Sequence, residues 1–254
     1  VELHAFAIEG LPELTAGADL ASALIAALAS GPAPRKLEPG DILALAHKAI
    51  SKCEGQIRRL ADVTPGARAL ELAATVQKDP RHVQVILDES SEVLRAVPGV
   101  LIVQTHHGFV CANAGVDGSN APEDGTLVLL PRDPDRSARE LRARLRELTG
   151  VAPGVLISDS FGRAWRTGQV DVAIGAAGVT VVHDWRGEHD ARGHELHATM
   201  IAVADELVAA ADLTRAKDSQ QPAVLIRGAG RYVSADDGSG VMPLIRERAR
   251  DLFR

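Results

Sequence analysis

Cysteine, aromatic side chains and excess positive charge are all scarce in this chain, and each scarcity removes a class of function. Cys53 and Cys111 are its two cysteines in 254 residues. A disulfide framework or a four-cysteine zinc site needs more, so both are read as free thiols. Aromatics make up 3%, too few for a surface that stacks on successive nucleic-acid bases. Asp and Glu outnumber Lys and Arg, 34 to 28, for a net charge of -6, whereas binding to a phosphate backbone relies on a basic surface. Nucleic acid is therefore not an expected partner, and any anionic ligand must be met by local positive charge or by metal. Long apolar runs are missing too. "ASALIAALAS" and "MIAVADELVAAA" are too short, or too interrupted by charge, for the roughly 20 residues of a membrane span. The chain opens "VELHAFAIEG", which alternates like a strand and has no basic leader region. The expected location is cytoplasmic, with no membrane partner.

What is present is enough apolar residue, 46%, for a substantial core in one large domain or two closely joined ones. Strand-like runs occur at "LHAFAI", "DILALA", "VLIVQT", "GFVCAN", "TLVLLP", "GVLISD" and "AVLIRG". Several are short, continuous and apolar, as in strands buried on both faces. "VQTHHGFVCAN" reads as two strands around a His-His-Gly turn. The clearest helical stripe is Leu141, Leu145 and Leu148 within "DRSARELRARLREL", and further helices are expected over 18–30, 65–77, 80–95 and 196–212. "SGPAPRKLEPG" reads as a surface loop joining a helix to a strand. Helices and strands mix without strict alternation, which predicts an α+β fold with mixed sheets rather than a doubly wound α/β sheet.

Two polar stretches carry the chemistry. "ISDSFGRAWR" follows an apolar strand with a carboxylate, a hydroxyl, a glycine and two arginines. Asp159 and Ser160 offer hard oxygens suited to Mg²⁺ or Mn²⁺, and Arg163 and Arg166 suit phosphate or carboxylate. The competing reading is a polar turn with solvated arginines. In "NAGVDGSN", Gly115 and Gly118 flank Asp117 and would let a ligand approach the backbone, with Asn113 or Asn120 available to a base or sugar. An Asx-type turn accounts for the same residues. "HKAISKCEG" places Lys48 and Lys52 just beyond a strand without the glycines of a P-loop. Lys52 is the phosphate candidate, against surface lysine as the ordinary alternative.

Other motifs lead away from chemistry. His194 and His197 in "HDARGHELH" are three apart, so the i, i+4 geometry of a helical zinc pair fails. The glycines of "AIGAAG" and "IRGAGR" lack the context of a dinucleotide fold. A serine hydrolase at Ser160 is disfavoured because no G-x-S-x-G elbow occurs and an acid directly precedes the serine.

Taken in order, "IEGLPEL", "AISKCEG", "GFVCANAGVDGSN", "LLPRDPDRSA", "ISDSFGRAWRTGQVDVAIGAAG", "DWRGEHDARGHEL", "AVADELVAAADL" and "VLIRGAG" resemble the coenzyme F420-0 γ-glutamyl ligases over residues 8–230. The resemblance implies one ligase domain over 1–254, built of two closely joined subdomains and paired as an intertwined homodimer with the nucleotide groove near the subunit contact. It implies a GTP-dependent amide ligase that joins L-glutamate to coenzyme F420-0, with two divalent cations, Mn²⁺ or Mg²⁺, and a role for K⁺. Carried over by position, Asp117, Asp159 and Ser160 match the metal ligands, with Asp117, Asp159 and Lys52 the residues of catalysis. Leu11, Pro12, Glu13 and Leu14 match a nucleotide-contacting loop, and Lys52 and Asn120 match further GTP contacts. His47 stands where relatives often carry serine, at a position that also contacts GTP. Some members of the resembled family carry a nitroreductase-like domain after this module. The rivals from other classes are a noncatalytic deazaflavin- or nucleotide-binding module and a metal-dependent phosphohydrolase.

Overall fold

The computed structural model describes residues 2–216 and 218–252. In chain order, β1 (His4–Ala7) leads to α1 (Leu20–Ser30), β2 (Ile42–Ala46), α2 (His47–Cys53) and β3 (Ile57–Arg59). Next come α3 (Ala67–Val76), α4 (Pro80–Asp88), β4 (Ser90–Val97), β5 (Val100–Thr105), β6 (Val110–Ala112) and β7 (Thr126–Val128). The remainder is α5 (Pro134–Thr149), β8 (Gly154–Arg163), β9 (Arg166–Ala177), β10 (His183–Asp184), β11 (Met200–Ile201), α6 (Val203–Asp212) and β12 (Ala223–Arg227). The mixture is α+β, as expected.

The main sheet has the order β1-β12-β2-β8-β9. Only β2 and β8 run parallel; the other neighbours are antiparallel. In β2, Ile42, Leu43, Ala44 and Leu45 are all fully buried. Because successive side chains point to opposite faces, this means that both faces of the sheet are covered. Helix α5 packs on β8 and β9, and α6 packs on β9, β12 and β1. Its cap suits the sequence: the Asp133 carboxylate accepts from the Arg136 amide, Pro134 opens the first turn, and Gly150 ends α5 in a left-handed conformation. Around this sheet lies the larger apolar core.

A second apolar core gathers α3, α4, β4, β5 and the segment after β6, with Leu72, Val76, Val83, Ile86, Leu101 and Val103 at its centre. The stretch through β7 joins the two: Leu127 and Leu129 belong to the second core, Leu130 to the first. Asn113, Ala114 and Gly115 are three consecutive residues at positive φ. Only glycine serves at 115, where φ is +69° and an added Cβ would lie 2.7 Å from Leu130 Cδ2. Gly115→Ala is expected to destabilise the protein by roughly 1–3 kcal/mol, read as a lower urea midpoint.

Several boundaries differ from the sequence reading. The helix expected over 80–95 stops at Asp88, and Ser90–Val97 is a strand that turns at Gly99 (φ +83°) to pair with β5. The helix expected over 196–212 starts only at Val203, because Met200–Ile201 pairs with β10. Of "TLVLLP", only Thr126–Val128 is strand. The long strand β9 was not anticipated. The two strands around the His-His-Gly turn and the loop between α1 and β2 are found where expected.

Candidate functional site

The sheet topology brings distant segments to one end. Since β2 and β8 are parallel with Ala46 beside Ser158, the residues that follow each strand emerge together: His47 and Lys48 from one, Asp159 and Ser160 from the other. Strand β12 is antiparallel, with Ala223 opposite Leu45, so Gln220, Gln221 and Pro222 lie at this same end. Strand β1 pairs Ala7 with Val224 and delivers Leu11–Leu14 there too. Ligand groups collect outside the carboxyl ends of parallel strands for this reason.

The result is a cavity of about 600 Å³, within the range of small-molecule sites. Leu11, Pro12, Glu13, Leu14, His47, Lys52, Asp117, Asn120, Asp159 and Ser160 all line it. Arg163, Arg166 and Asn113 do not. The Arg163 guanidinium donates to the Thr167 carbonyl at 3.2 Å, while Asn113 opens a 3-10 turn.

Strand β8 does not end at Asp159, as the sequence pattern implies. Beyond Ser158, where β2 stops, it continues to Arg163 as a hairpin with β9. Asp159 and Ser160 therefore sit where the strand leaves the sheet, held on one side only. The Asp159 side chain is 18% exposed. Burial first, and then the negative charges of Asp171 and Asp117, push its carboxyl up to about 7 against a hydrogen bond from the Ser160 amide. The His47 ring, 2% exposed, brings Nε2 to 3.5 Å from Asp159 Oδ1 and Nδ1 to 3.2 Å from Ser51 Oγ. Burial, with the charge of Lys48 next, pushes that ring down to about 3, so it faces Asp159 as a neutral group.

Asp117 is electrostatically the opposite case. Its Oδ1 accepts from the Ser119 amide at 2.9 Å, which is the Asx turn anticipated as the alternative, yet the carboxylate still faces the cavity. Lys48 Nζ donates to Asp117 Oδ2 at 2.6 Å, to the Ser119 carbonyl at 2.8 Å and to Ser119 Oγ at 2.7 Å. Burial works to raise this carboxyl, but the hydrogen bonds from Lys48 and Ser119 outweigh it and hold it at about 2. Lys52 Nζ donates to Glu13 Oε1 at 2.6 Å and so ties α2 to the Leu11–Leu14 segment.

The donor set fits a hard divalent cation. Asp117, Asp159 and Ser160 present carboxylate and hydroxyl oxygens to one cavity, and among the described residues no three His, Cys, Asp or Glu side chains form a ready-made cage. Mg²⁺ and Mn²⁺ are bound in this manner, by few protein oxygens completed by waters and phosphates. His194 and His197 pair instead with Asp190 and Glu195 on an exposed segment.

A model of the F420-0:gamma-glutamyl ligase family matches residues 10–228. The chain belongs to this family. Among relatives of this F420-0:gamma-glutamyl ligase family member is the coenzyme F420:L-glutamate ligase of Methanothermobacter thermautotrophicus, 46% identical over 248 residues and covering 97% of each chain. That of Methanopyrus kandleri is 48% identical over 221 residues, covering 86% of this chain and 87% of its own. That of Archaeoglobus fulgidus is 42% identical over 255 residues, covering 100% and 97%.

Sequence reasoning missed part of the cavity wall of this family member. Gln169, Asp171, Asp212, Arg215, Gln220 and Gln221 also line it. Asp171 left a signal, a charged residue inside the apolar strand "VDVAIGAA". Arg215, after α6, left none. Lys48, named beside Lys52 but given no role of its own, is the cation in contact with Asp117.

Proposed function

We propose that this chain is a GTP-dependent ligase that joins L-glutamate to coenzyme F420-0, and further γ-linked glutamates to F420-1, in coenzyme F420 biosynthesis. The observation that carries this reading is the convergence of Leu11–Leu14, Lys52, Asn120, Asp117, Asp159 and Ser160 on one cavity in a chain of this family. An oxygen of the precursor's carboxylate attacks the γ-phosphorus of GTP, the bond to the β-phosphate oxygen breaks, and GDP leaves. The glutamate amine then attacks the acyl-phosphate carbonyl carbon, loses a proton, and expels phosphate as the amide forms.

The first step brings a carboxylate against a triphosphate, and their repulsion must be offset in a partly dry cavity. Lys48 and Lys52 supply fixed positive charge. Two divalent ions, Mn²⁺ or Mg²⁺, held by Asp117, Asp159 and Ser160, would supply further charge and align the phosphates; K⁺ is a third ion in this reading. Leu11–Leu14 and Asn120 contact the nucleotide. His47, whose ring is buried against Asp159, leaves its backbone for that contact. Residues 1–254 act as one ligase domain, located in the cytoplasm.

Incubation of the purified chain with F420-0, GTP, L-glutamate and Mn²⁺ tests the reading. The expected products are conjugates heavier by one or more glutamyl residues, and GDP. A deazaflavin- or nucleotide-binding module gives neither, and a phosphohydrolase gives GDP without the conjugate. We propose further that the active species is an intertwined homodimer with the GTP groove near the subunit contact. Light scattering on an active preparation at micromolar concentration is expected to give twice the 26.8 kDa chain mass, and a strictly monomeric mass overturns this.

A further inference from the structure

The wall of the cavity holds a buried charged assembly, Asp171 with Arg215, that has no role in the chemistry described above. The Asp171 side chain is 3% exposed and that of Arg215 is 7% exposed. The Asp171 carboxylate accepts from three donors: the Ser158 hydroxyl on Oδ2 at 2.7 Å, the Ser160 hydroxyl on Oδ1 at 2.7 Å, and the Arg215 guanidinium on Oδ2. Arg215 also donates to Ser158 Oγ at 3.2 Å, to the Pro222 carbonyl at 3.0 Å and to Asp212 Oδ1 at 3.3 Å. One ion pair thus fastens β9, β8 and the segment after α6 to one another. A buried pair of this kind is a weak source of stability, so its position needs another explanation.

We propose that Asp171 is a positioning residue for the cation site, acting through Ser160, with Arg215 fixing the orientation of its carboxylate. The inference rests on the metal reading above. An ionised carboxylate only accepts, and a hydroxyl has one hydrogen. By taking the Ser160 hydrogen, Asp171 turns the lone pairs of that oxygen away from itself, and a cation requires a lone pair. A serine left to rotate would offer its proton as readily. The partners of metal ligands exert this kind of orienting control.

Asp171→Asn makes the effect directional. The guanidinium of Arg215 donates to the Oδ2 position, so the amide oxygen takes that place and the amide nitrogen faces Ser160. Ser160 then has to accept, and its hydrogen swings out toward the cavity. Titration with Mn²⁺ alone, followed by the electron paramagnetic resonance signal of the free ion, reads the result. The Mn²⁺ midpoint of Asp171→Asn is expected to rise about 10-fold, that of Ser160→Ala by a similar factor, and the double variant no further than the larger single one, because both act on one oxygen. A mere folding defect lowers the amount of Mn²⁺ bound at saturation and leaves the midpoint in place.

An unmoved midpoint in folded Asp171→Asn, or additive shifts in the double variant, overturns the proposal. Ser160→Ala leaves the ion pair untouched and keeps the test decisive if Asp171→Asn does not fold: an unchanged midpoint there overturns it as well. If the parent protein itself shows no saturable Mn²⁺ binding, the metal reading falls and this inference with it. If the parent binds and the variants do not differ, only this inference falls.

Discussion

Asp159→Asn is expected to fold, to lose glutamyl-product formation by about 100-fold or more, and to melt at a higher temperature than the parent protein in EDTA at pH 8. The loss follows from removing a charge that attracts a hard cation while keeping the side chain's size. The gain in stability follows from burial. The carboxyl of Asp159 is pushed up to about 7 in the folded chain, so the folded state holds its proton more firmly than the unfolded one. Stability from this group is therefore full below the ordinary carboxylate value and is lost as pH rises through about 7. Asn has no proton to lose, so the difference in melting temperature should open between pH 4 and pH 8, by about 2–4 °C for each kcal/mol.

Asp117→Asn should show the opposite sign in stability with the same loss of activity. Its carboxyl is held at about 2, chiefly by the hydrogen bonds from Lys48 and Ser119 that outweigh its burial. Its contribution is present above the ordinary carboxylate value and is lost as pH falls through about 2, and the substitution removes it at neutral pH. Excess Mn²⁺ should restore part of the ligation in both variants. Wild-type rates and unaltered Mn²⁺ dependence in both would mean that these carboxylates are only turns.

Lys52→Ala is expected to raise the GTP concentration needed for half-maximal ligation by about 10-fold or more, with the Mn²⁺ midpoint within about 3-fold of the parent protein. Lysine contributes a point charge to phosphate and coordinates no metal. In the structure its Nζ reaches Glu13 Oε1 at 2.6 Å, so the same substitution also frees the Leu11–Leu14 segment. Glu13→Gln separates the two effects: it removes the ion pair and leaves the lysine. If the GTP requirement rises equally in both variants, Lys52 acts by holding that segment. Initial rates over a grid of GTP and Mn²⁺ concentrations decide between them.

Legibility in the sequence followed the range of the interactions. The strands around Leu43, Ile157 and Leu225 could be read directly, because fully buried strands leave continuous apolar runs. Strand β9 could not, since its first four residues, "RTGQ", are exposed on the hairpin beyond the sheet and carry no apolar alternation. The helix expected through residue 95 failed because Val93, Leu94, Ala96 and Val97 are spaced as on a helix, and only pairing with β5, with register shifts between Ser90 and Glu92 and between Val93 and Arg95, makes the segment a strand. At the site, Asp117, Asp159 and Ser160 stood out because short polar residues amid glycines interrupt apolar runs. Arg215 did not, because an arginine after a helix looks like any solvated residue until its partner, 44 positions away, is known. The contact between Lys48 and Asp117 spans 69 positions and has no local signature either.

The pairing of β1 with β12 joins His4 to Arg227 and so bears on the order in which the molecule is built. The Leu11–Leu14 wall is held in place by a strand whose partner is nearly the last regular element of the chain. During synthesis, β2 and β8 can meet while this wall still hangs free, and the cavity closes only after residues 220–227 have emerged. A contact across so long a separation in sequence carries a loop-closure cost that nearer contacts do not, and comes late. An incomplete chain would thus expose the carboxylates of the site to solvent without the segment that faces them. Nucleotide affinity, in consequence, should arrive in a single late step of folding and not grow by degrees as the chain lengthens.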